Sequence, residues 1–223
     1  MVPELSRGGI PYTIRRSPRA RRVRVNVHPH GGVEVVLPAR APERAAAAAV
    51  AELAPWIERR LAQTREVLAH VAARAGTVPY LGASLELVPE PGRTRAHRRG
   101  QRLLVPAQEP RPAIERFYRR SARAEIAPRL DRAAALSGSS YSGLDIRCQR
   151  TRWASCSSTG RMSFNWRLLL APERVLDYVV WHEVCHLQIL DHSPAFWALL
   201  ESRLPGYREE RDWLRRNGAT LVL

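Results

Sequence analysis

His182-Glu183-Val184-Cys185-His186, with His192 six residues beyond it, is the stretch that decides the fold. Residues four apart on a helix differ by about 40° in direction and lie one turn apart, so His182 and His186 can turn their rings toward one point. Glu183 lies on the flank of that point and can reach a metal-bound water without binding the metal itself. The pattern predicts a hydrolase that uses one zinc ion, with Glu183 as general base.

The residues before the motif favour a helix from about Pro172 to Ile189. A proline at a helix start loses only an N–H that would have no partner, and Glu173 suits the positive end of the helix dipole. Apolar residues cover more than one face of this helix, as expected inside a domain; they are Val175, Leu176, Val179, Val180, Val184 and Leu187. A helix that carries two ordinary core histidines is the alternative.

Two residues downstream can supply a third metal ligand. His192 has the same offset from His186 as the third histidine of the metzincin pattern, although Ile189 stands where that pattern has a turn-forming glycine. The alternative is Glu201, on a following helix expected over Ala195–Leu204, as in zincins whose third ligand is a glutamate. We favour His192.

Because Ile189 replaces the glycine, the chain must turn in another way before His192. Asp191 is expected to adopt the left-handed conformation that ends a helix. Ser193-Pro194 then fits the N-cap and first position of the next helix. His192 would lie in the elbow between the two helices.

The motifs of this half of the chain resemble those of the YgjP-like proteins, a metallopeptidase family related to the WLM and SprT-type zincins. The order and spacing of the family are followed by Arg152-Trp153-Ala154-Ser155-Cys156, Gly160, Ser163, Asn165, Pro172, Asp177-Tyr178, His182–His186, His192-Ser193 and Phe196-Trp197. Ala154 stands where relatives usually have glycine. The N-terminal half looks similar as well, with an Arg-rich strand, a hairpin, a Pro-terminated strand and a helix ending in Trp56-Ile57.

The resemblance implies a zinc-dependent hydrolase with His182, His186 and His192 as ligands and Glu183 as the catalytic residue. The natural substrate is poorly defined across the family. Four further residues are candidates for contacts with the substrate or with the ligands: Arg152, Ser155, Asn165 and Tyr178. Arg152 is expected to assist the developing oxyanion, and Tyr178 lies one helical turn before His182 on the same face.

Composition agrees with a compact enzyme, since 223 residues that are 45% hydrophobic can build a sizeable core. No stretch is long and apolar enough to cross a membrane, and Met1–Ile10 lacks the apolar centre of a signal peptide. These features predict a cytoplasmic location. The three cysteines show no paired spacing and are expected to be reduced, with Cys156 close to the site.

All 36 basic residues are arginine, and the formal net charge is +15. Two clusters stand out: Arg15, Arg16, Arg19, Arg21, Arg22 and Arg24, and then Arg93, Arg95, Arg98, Arg99 and Arg102. Such clusters attract polyanions, so nucleotides or nucleic acid are possible partners. The aromatic residues of a base-stacking surface are missing from both clusters, and a solvated basic face is the alternative.

The pattern along the chain predicts an α+β fold, in which a small β-rich lobe with one helix, residues 1–106, precedes a zincin-like catalytic domain, residues 107–223. Strands are expected over 22–27, 33–37, 78–88, 101–105, 144–148 and 162–169, the first two as a hairpin, and helices over 42–75 and 110–135. The stretch Arg161–Leu168 is the expected exposed strand beside the catalytic helix, to which an extended peptide can add.

Three functions fit these features. The first is a metallopeptidase acting on a peptide or protein. The second is a nucleoside triphosphate pyrophosphatase, which would use the same activated water and arginines to hold the phosphates. The third is a nucleic-acid-associated protein with a structural metal, although three histidines without a fourth protein donor suit an open site better than a closed one.

Overall fold

The computed structural model describes residues 5–7, 9–28, 32–149 and 151–223 of the chain. These residues form two compact units, Met1–Ala73 and Arg74–Leu223. Each unit contains both helices and a sheet, so the chain is a mixed α/β protein. Compactness does not test which part of the chain folds alone, so the domain boundary between residues 106 and 107 stays a prediction.

The first unit combines one four-stranded sheet with two helices. Its elements are β1 (Leu5–Arg7), β2 (Ile10–Ser17), β3 (Arg24–Val27), β4 (Val33–Pro38), α1 (Arg44–Glu52) and α2 (Ala54–Ala72). The strand order is β1, β2, β4, β3, and only the pair of β2 and β4 is parallel. Val35 and Leu37 of β4 are fully buried with Val50 of α1, which makes β4 the centre of this core.

The predicted hairpin is confirmed, because β3 and β4 pair antiparallel with Val27 opposite Val33. Residues 29–31 of its turn lie outside the described residues. The single helix expected over residues 42–75 is wrong, since α1 and α2 are separate helices that meet at Leu53. Pro55 accounts for the break, because its ring and its missing N–H interrupt a continuous helix at this point.

The second unit carries two sheets and four α-helices. Its first elements are β5 (Thr77–Tyr80), β6 (Ala83–Glu90), β7 (His97–Arg99), β8 (Arg102–Pro106) and α3 (Pro110–Leu136). They are followed by β9 (Gly143–Arg147), β10 (Ala154–Cys156), β11 (Arg161–Asn165), a 3-10 helix (Trp166–Leu170), α4 (Glu173–Cys185), α5 (Pro194–Arg203), α6 (Arg208–Asn217) and a second 3-10 helix (Gly218–Thr220). The strand orders are β5, β6, β8, β7 and β10, β11, β9.

The one long strand expected over residues 78–88 is wrong, since β5 and β6 form an antiparallel hairpin there. Its turn consists of Leu81 with φ 50° and Gly82 with φ 87°. Two consecutive residues with positive φ make the tight turn whose twist matches that of the paired strands. Leucine rarely takes this conformation, so only Gly82 marked the turn in the sequence.

The strand expected over residues 162–169 ends at Asn165. The Asn165 side chain accepts a hydrogen bond from the Arg167 N–H, which starts the 3-10 helix. The expectation of an exposed edge over Arg161–Leu168 is also wrong. β11 is the central strand of its sheet, antiparallel to β10 and parallel to β9, so its main-chain groups are already paired on both sides.

The core of the second unit lies where α3 and α4 pack together and against the first 3-10 helix, with α3 also contacting β9 and α4 contacting β10. Fully buried side chains of this core include Tyr118, Ile126, Phe164, Leu176 and Phe196. Helix α3 confirms the long helix expected over residues 110–135. In the part of the chain that the structure describes, no helix has the length and apolar character that a bilayer crossing requires.

Candidate active site

Helix α4 places His182 and Glu183 in its last turn. It begins after Pro172, as expected, but it ends at Cys185 with His186 as C-cap, a turn earlier than the sequence suggested. After this point the chain tightens, because the N–H groups of Leu187 and Gln188 bond to carbonyls only three residues back. The tightening directs the following residues back toward the end of the helix.

His192 lies on the connection between α4 and α5. Asp191 Oδ1 accepts a hydrogen bond of 3.0 Å from the Ser193 N–H, and α5 starts at Pro194. The expected left-handed conformation of Asp191 is wrong, since Leu81 and Glu109 are the non-glycine residues with positive φ among the described residues. The aspartate turns the chain through its side chain instead, and this needs no positive φ.

The three histidines come together at the end of α4. One ligand atom from each of His182, His186 and His192 lies within 4.8 Å of the others. The Nε2 atoms of His182 and His192 are 3.0 Å apart. Two nitrogens on one tetrahedral zinc ion lie about 3.3 Å apart, as follows from Zn–N bonds of about 2.0 Å. The donor set and its spacing therefore fit a divalent metal.

The surroundings of these rings also suit metal binding. His186 Nδ1 is 3.0 Å from the Ile189 carbonyl, and an N–H there leaves the lone pair on Nε2. Burial, followed by the neighbouring histidines, lowers the pKa of His182 to about 3, and burial also lowers the pKa of His186. Both rings are thus neutral near pH 7, which is the form that binds a metal.

Glu183 is buried beside the histidines, with 5% of its surface exposed. The backbone N–H of Cys156 lies close enough to influence its carboxylate, and Oε2 has no hydrogen-bond partner among the described residues. Burial raises the pKa of Glu183 to about 8, against the smaller opposing effects of the Cys156 N–H and Arg152. A buried carboxyl with one unused oxygen is suited to proton transfer.

The main-chain hydrogen bonds at both ends of β10 show how this strand is oriented. Trp153 and Ser157 bond to β11 through main-chain groups, namely Asn165 N–H to Trp153 C=O at 2.7 Å and Ser157 N–H to Arg161 C=O at 2.9 Å. Main-chain groups alternate in direction along a strand, so those of Ala154 and Cys156 point away from β11. β10 is therefore the edge strand of this sheet beside α4.

A profile of the YgjP-like metallopeptidase domain matches residues 21–217. The chain belongs to the YgjP-like family. It is therefore a metal-dependent hydrolase of the metallopeptidase class.

No curated protein matches the chain. A crystal structure of the metallopeptidase zymogen of Pyrococcus abyssi, abylysin, is 24% identical and covers 41% of this chain and 93% of its own, with a TM-score of 0.38. A TM-score this low carries no conclusion about the YgjP-like chain.

The four further residues named from the YgjP-like motifs differ in what they contact. Arg152 is exposed and close enough to influence Glu183. The Ser155 hydroxyl is 2.9 Å from the Ser163 hydroxyl on β11. Asn165 is buried, and its amide donates to the Gln149 carbonyl at 2.8 Å. Roles of Arg152, Ser155 and Asn165 toward a substrate stay predictions.

Tyr178 belongs to a set of aromatic rings around the histidines. Its ring meets His182 edge to face, with 5.9 Å between centroids, and stacks on Tyr207 at 6.1 Å. Burial raises the pKa of Tyr178 to about 12, so the phenol keeps its proton. Tyr207, a fully buried ring just before α6, was not predicted to belong to the site, because no local pattern in the sequence links it to the motif.

The alternative third ligand, Glu201, is engaged elsewhere. Its carboxylate accepts from the Gly206 N–H at 3.1 Å and from Arg208 at 2.9 Å. Among the described residues, the donor group at the site consists of the three histidines without Glu201. Cys156 lies beside Glu183, and burial raises the pKa of its thiol to about 11.

Proposed function

We propose that the chain is a zincin-like zinc peptidase with one zinc ion held by His182, His186 and His192. The observation that carries this proposal is the convergence of three ring nitrogens within 4.8 Å next to a buried carboxylate oxygen for which the described residues provide no partner. When bound, the zinc ion would lower the pKa of a nearby water and polarise the scissile carbonyl. His192, the exposed member of the set, leaves that side of the site open to a substrate.

Glu183 is the proposed general base and acid. Its free Oε2 takes a proton from the attacking water and returns that proton to the leaving amine. A divalent cation held by the neighbouring imidazoles favours the ionised form of Glu183, which opposes the effect of burial on its pKa. The nearby Cys156 N–H also favours the ionised carboxylate.

The substrate is proposed to be a peptide in extended conformation that pairs with β10. The N–H and C=O of Ala154 point away from β11 and can form main-chain hydrogen bonds with such a peptide. This assignment replaces β11 by β10 as the strand that receives the substrate. The exposed Arg152, close to Glu183, is the proposed electrostatic partner of the developing oxyanion.

The arginine clusters give no specific support to a nucleotide or nucleic-acid function. Arg15 pairs with Glu34 at 2.8 Å, and Arg102 pairs with Glu86 at 3.1 Å. Arg93 pairs with Glu90 at 2.6 Å. Acids next to the arginines reduce the positive field that a phosphate would meet. The family adds no support for such a partner.

The proposal is tested with wild-type protein, Glu183→Gln and the control Glu209→Gln, which changes an exposed acid on α6. Each is incubated with a reduced, carboxymethylated protein, with ATP, and with labelled DNA at several salt concentrations. We expect peptide fragments from wild type and control, lost with a chelator and restored by Zn²⁺. Glu183→Gln should keep its metal and lose about 10²- to 10⁴-fold in rate.

Other outcomes of this experiment contradict the proposal. Wild-type activity of Glu183→Gln would remove the general-base role. Release of pyrophosphate from ATP without peptide fragments would establish the pyrophosphatase. Salt-sensitive DNA binding with no turnover would establish a nucleic-acid-associated protein with a structural metal.

A further inference from the structure

His192 is the least restrained of the three histidines. It is exposed and lies on the connection between two helices, whereas His182 and His186 are fixed by α4 and its C-cap. His186 has a hydrogen bond from its second ring nitrogen to the Ile189 carbonyl. Among the described residues, the hydrogen-bond contact of the His192 ring is with His182 alone. Another kind of contact must therefore orient the His192 ring.

That contact comes from aromatic rings. The Trp197 indole lies 5.5 Å from the His192 ring, centroid to centroid, with an interplanar angle of 32°. Phe196 meets the same ring edge to face at 4.9 Å. Both residues belong to α5, which begins two residues after His192. Trp197 is therefore directly beside the proposed ligand, on the element that follows it.

Trp197 is itself held by a stack of rings, which we call the aromatic column: Trp197, Tyr207 and Tyr178. Tyr207 is parallel to Trp197 at 5.7 Å and to Tyr178 at 6.1 Å, with interplanar angles of 10° and 8°. Arg211 lies over both Trp197 and Tyr207, at 5.7 and 5.8 Å. Because Tyr207 is fully buried, it gives the column a fixed centre.

We propose that Trp197, fixed by Tyr207 through the aromatic column, is a positioning residue that orients the His192 ring for metal binding. A flat ring with two rotatable bonds loses little conformational entropy when it is fixed, so it is an effective support for a ligand on an exposed connection. The aromatic column connects α4, α5 and the residue before α6. Its contacts hold the Trp197 indole in one position beside His192. This inference rests on the proposed metal site.

The test measures the dissociation constant for Zn²⁺, by competition with a chromophoric chelator, in four proteins. They are wild type, Trp197→Leu, His192→Ala and the double variant. We expect Trp197→Leu to bind Zn²⁺ about 10- to 100-fold more weakly than wild type, as when an outer contact of a ligand is lost. In the His192→Ala background the same substitution should change the affinity by less than about twofold, because its effect passes through His192.

Three further measurements make the test specific. Trp213→Leu is the matched control, a partly buried tryptophan of α6 outside the aromatic column, and it should leave the Zn²⁺ affinity unchanged. The visible absorption of bound Co²⁺ should be altered by Trp197→Leu in the same direction as by His192→Ala. If Trp197→Leu fails to fold in the metal-free state, Trp197→Phe replaces it, and an intermediate affinity is expected because the smaller ring cannot reach both His192 and Tyr207.

The inference would be overturned if Trp197→Leu weakened Zn²⁺ binding equally in wild type and in the His192→Ala background. It would also be overturned if Trp197→Leu left the Zn²⁺ affinity of the wild-type chain unchanged. In both cases Trp197 would be an ordinary packing residue. Failure of the wild-type chain to bind Zn²⁺ would instead overturn the proposed function. The two failures are therefore distinguishable in one set of titrations.

Discussion

At the scale of single residues, the site contains buried polar atoms for which the described residues provide no hydrogen-bond partner. Glu183 is buried, and its Oε2 has no partner among the described residues. The Nδ1 atom of His182 is likewise buried, and no residue in the described part of the chain pairs with it. Buried polar atoms are usually satisfied, since leaving one unpaired costs about 1–3 kcal/mol. Two such atoms on adjacent residues indicate a site whose residues are arranged for binding or catalysis.

The identity of the third ligand is a prediction at this scale. His192→Ala should lower the Zn²⁺ affinity by more than about 100-fold, because a directly bound nitrogen is lost rather than an outer contact. Glu201→Gln is the control and should leave the affinity within about twofold of wild type. Its carboxylate is occupied by the Gly206 N–H and Arg208. Chelator competition measures both values, and the reverse ranking would make Glu201 the ligand.

At the scale of elements, β10 provides the free edge of its sheet. Ala154→Pro removes one outward N–H while leaving the bonds between β10 and β11 intact, since Ala154 does not bond to β11. We expect kcat/KM for a peptide to fall by about 3- to 10-fold, the value of one hydrogen bond, with unchanged Zn²⁺ affinity. Ser155→Pro would instead interrupt the pairing with β11, and it should lower the unfolding temperature.

An unchanged kcat/KM for Ala154→Pro would show that the substrate does not pair with β10 at this residue. A fall in Zn²⁺ affinity of the same size would show that the substitution disturbs the site rather than substrate binding. Only a fall in kcat/KM with unchanged Zn²⁺ affinity supports the proposal that the substrate pairs with β10.

Helix α4 is tied to α3 by one arginine. Arg129 bonds to Glu125 at 2.7 Å, to Asp177 at 3.1 Å and to Glu173, so it joins the start of α4 to its neighbour. The Arg129 side chain is 21% exposed. Arg129→Met should therefore lower the free energy of unfolding by about 1–3 kcal/mol, because three carboxylates lose their partner.

The control for Arg129→Met is Arg174→Met, a substitution in the first turn of α4. The Arg174 side chain is 81% exposed, and its pair with Glu210 is 3.9 Å long. Its replacement should change the free energy of unfolding by less than about 0.5 kcal/mol. Urea unfolding in the presence of a chelator compares the two, and equal effects would show that Arg129 does not tie α4 to α3.

At the scale of the whole molecule, the elements that carry strong local signals were predictable. Helices α3 and α4 have proline starts and long apolar patterns, and both were found close to their expected positions. The convergence of His182, His186 and His192 followed from spacing along one helix and its connection. Helical spacing determines geometry without knowledge of the rest of the fold, which explains this outcome.

The remaining features depend on partners that are distant in sequence. Whether β11 is an edge or a centre depends on β9 and β10, which pair with it from both sides. The break at Pro55 and the turn at Leu81 are exceptions, since they depend on local conformations that a hydrophobic pattern does not encode. Tyr207 joins the site only because α4, α5 and α6 pack together. Such features need tertiary structure.

The metal content of the purified chain tests the central claim most directly. After removal of metal and dialysis against Zn²⁺, elemental analysis should give about one zinc ion per chain for wild type and for Glu183→Gln. The variant with both His182 and His186 changed to alanine should retain almost none. A wild-type chain that takes up no zinc, or a double-histidine variant that still binds about one ion, would contradict the account.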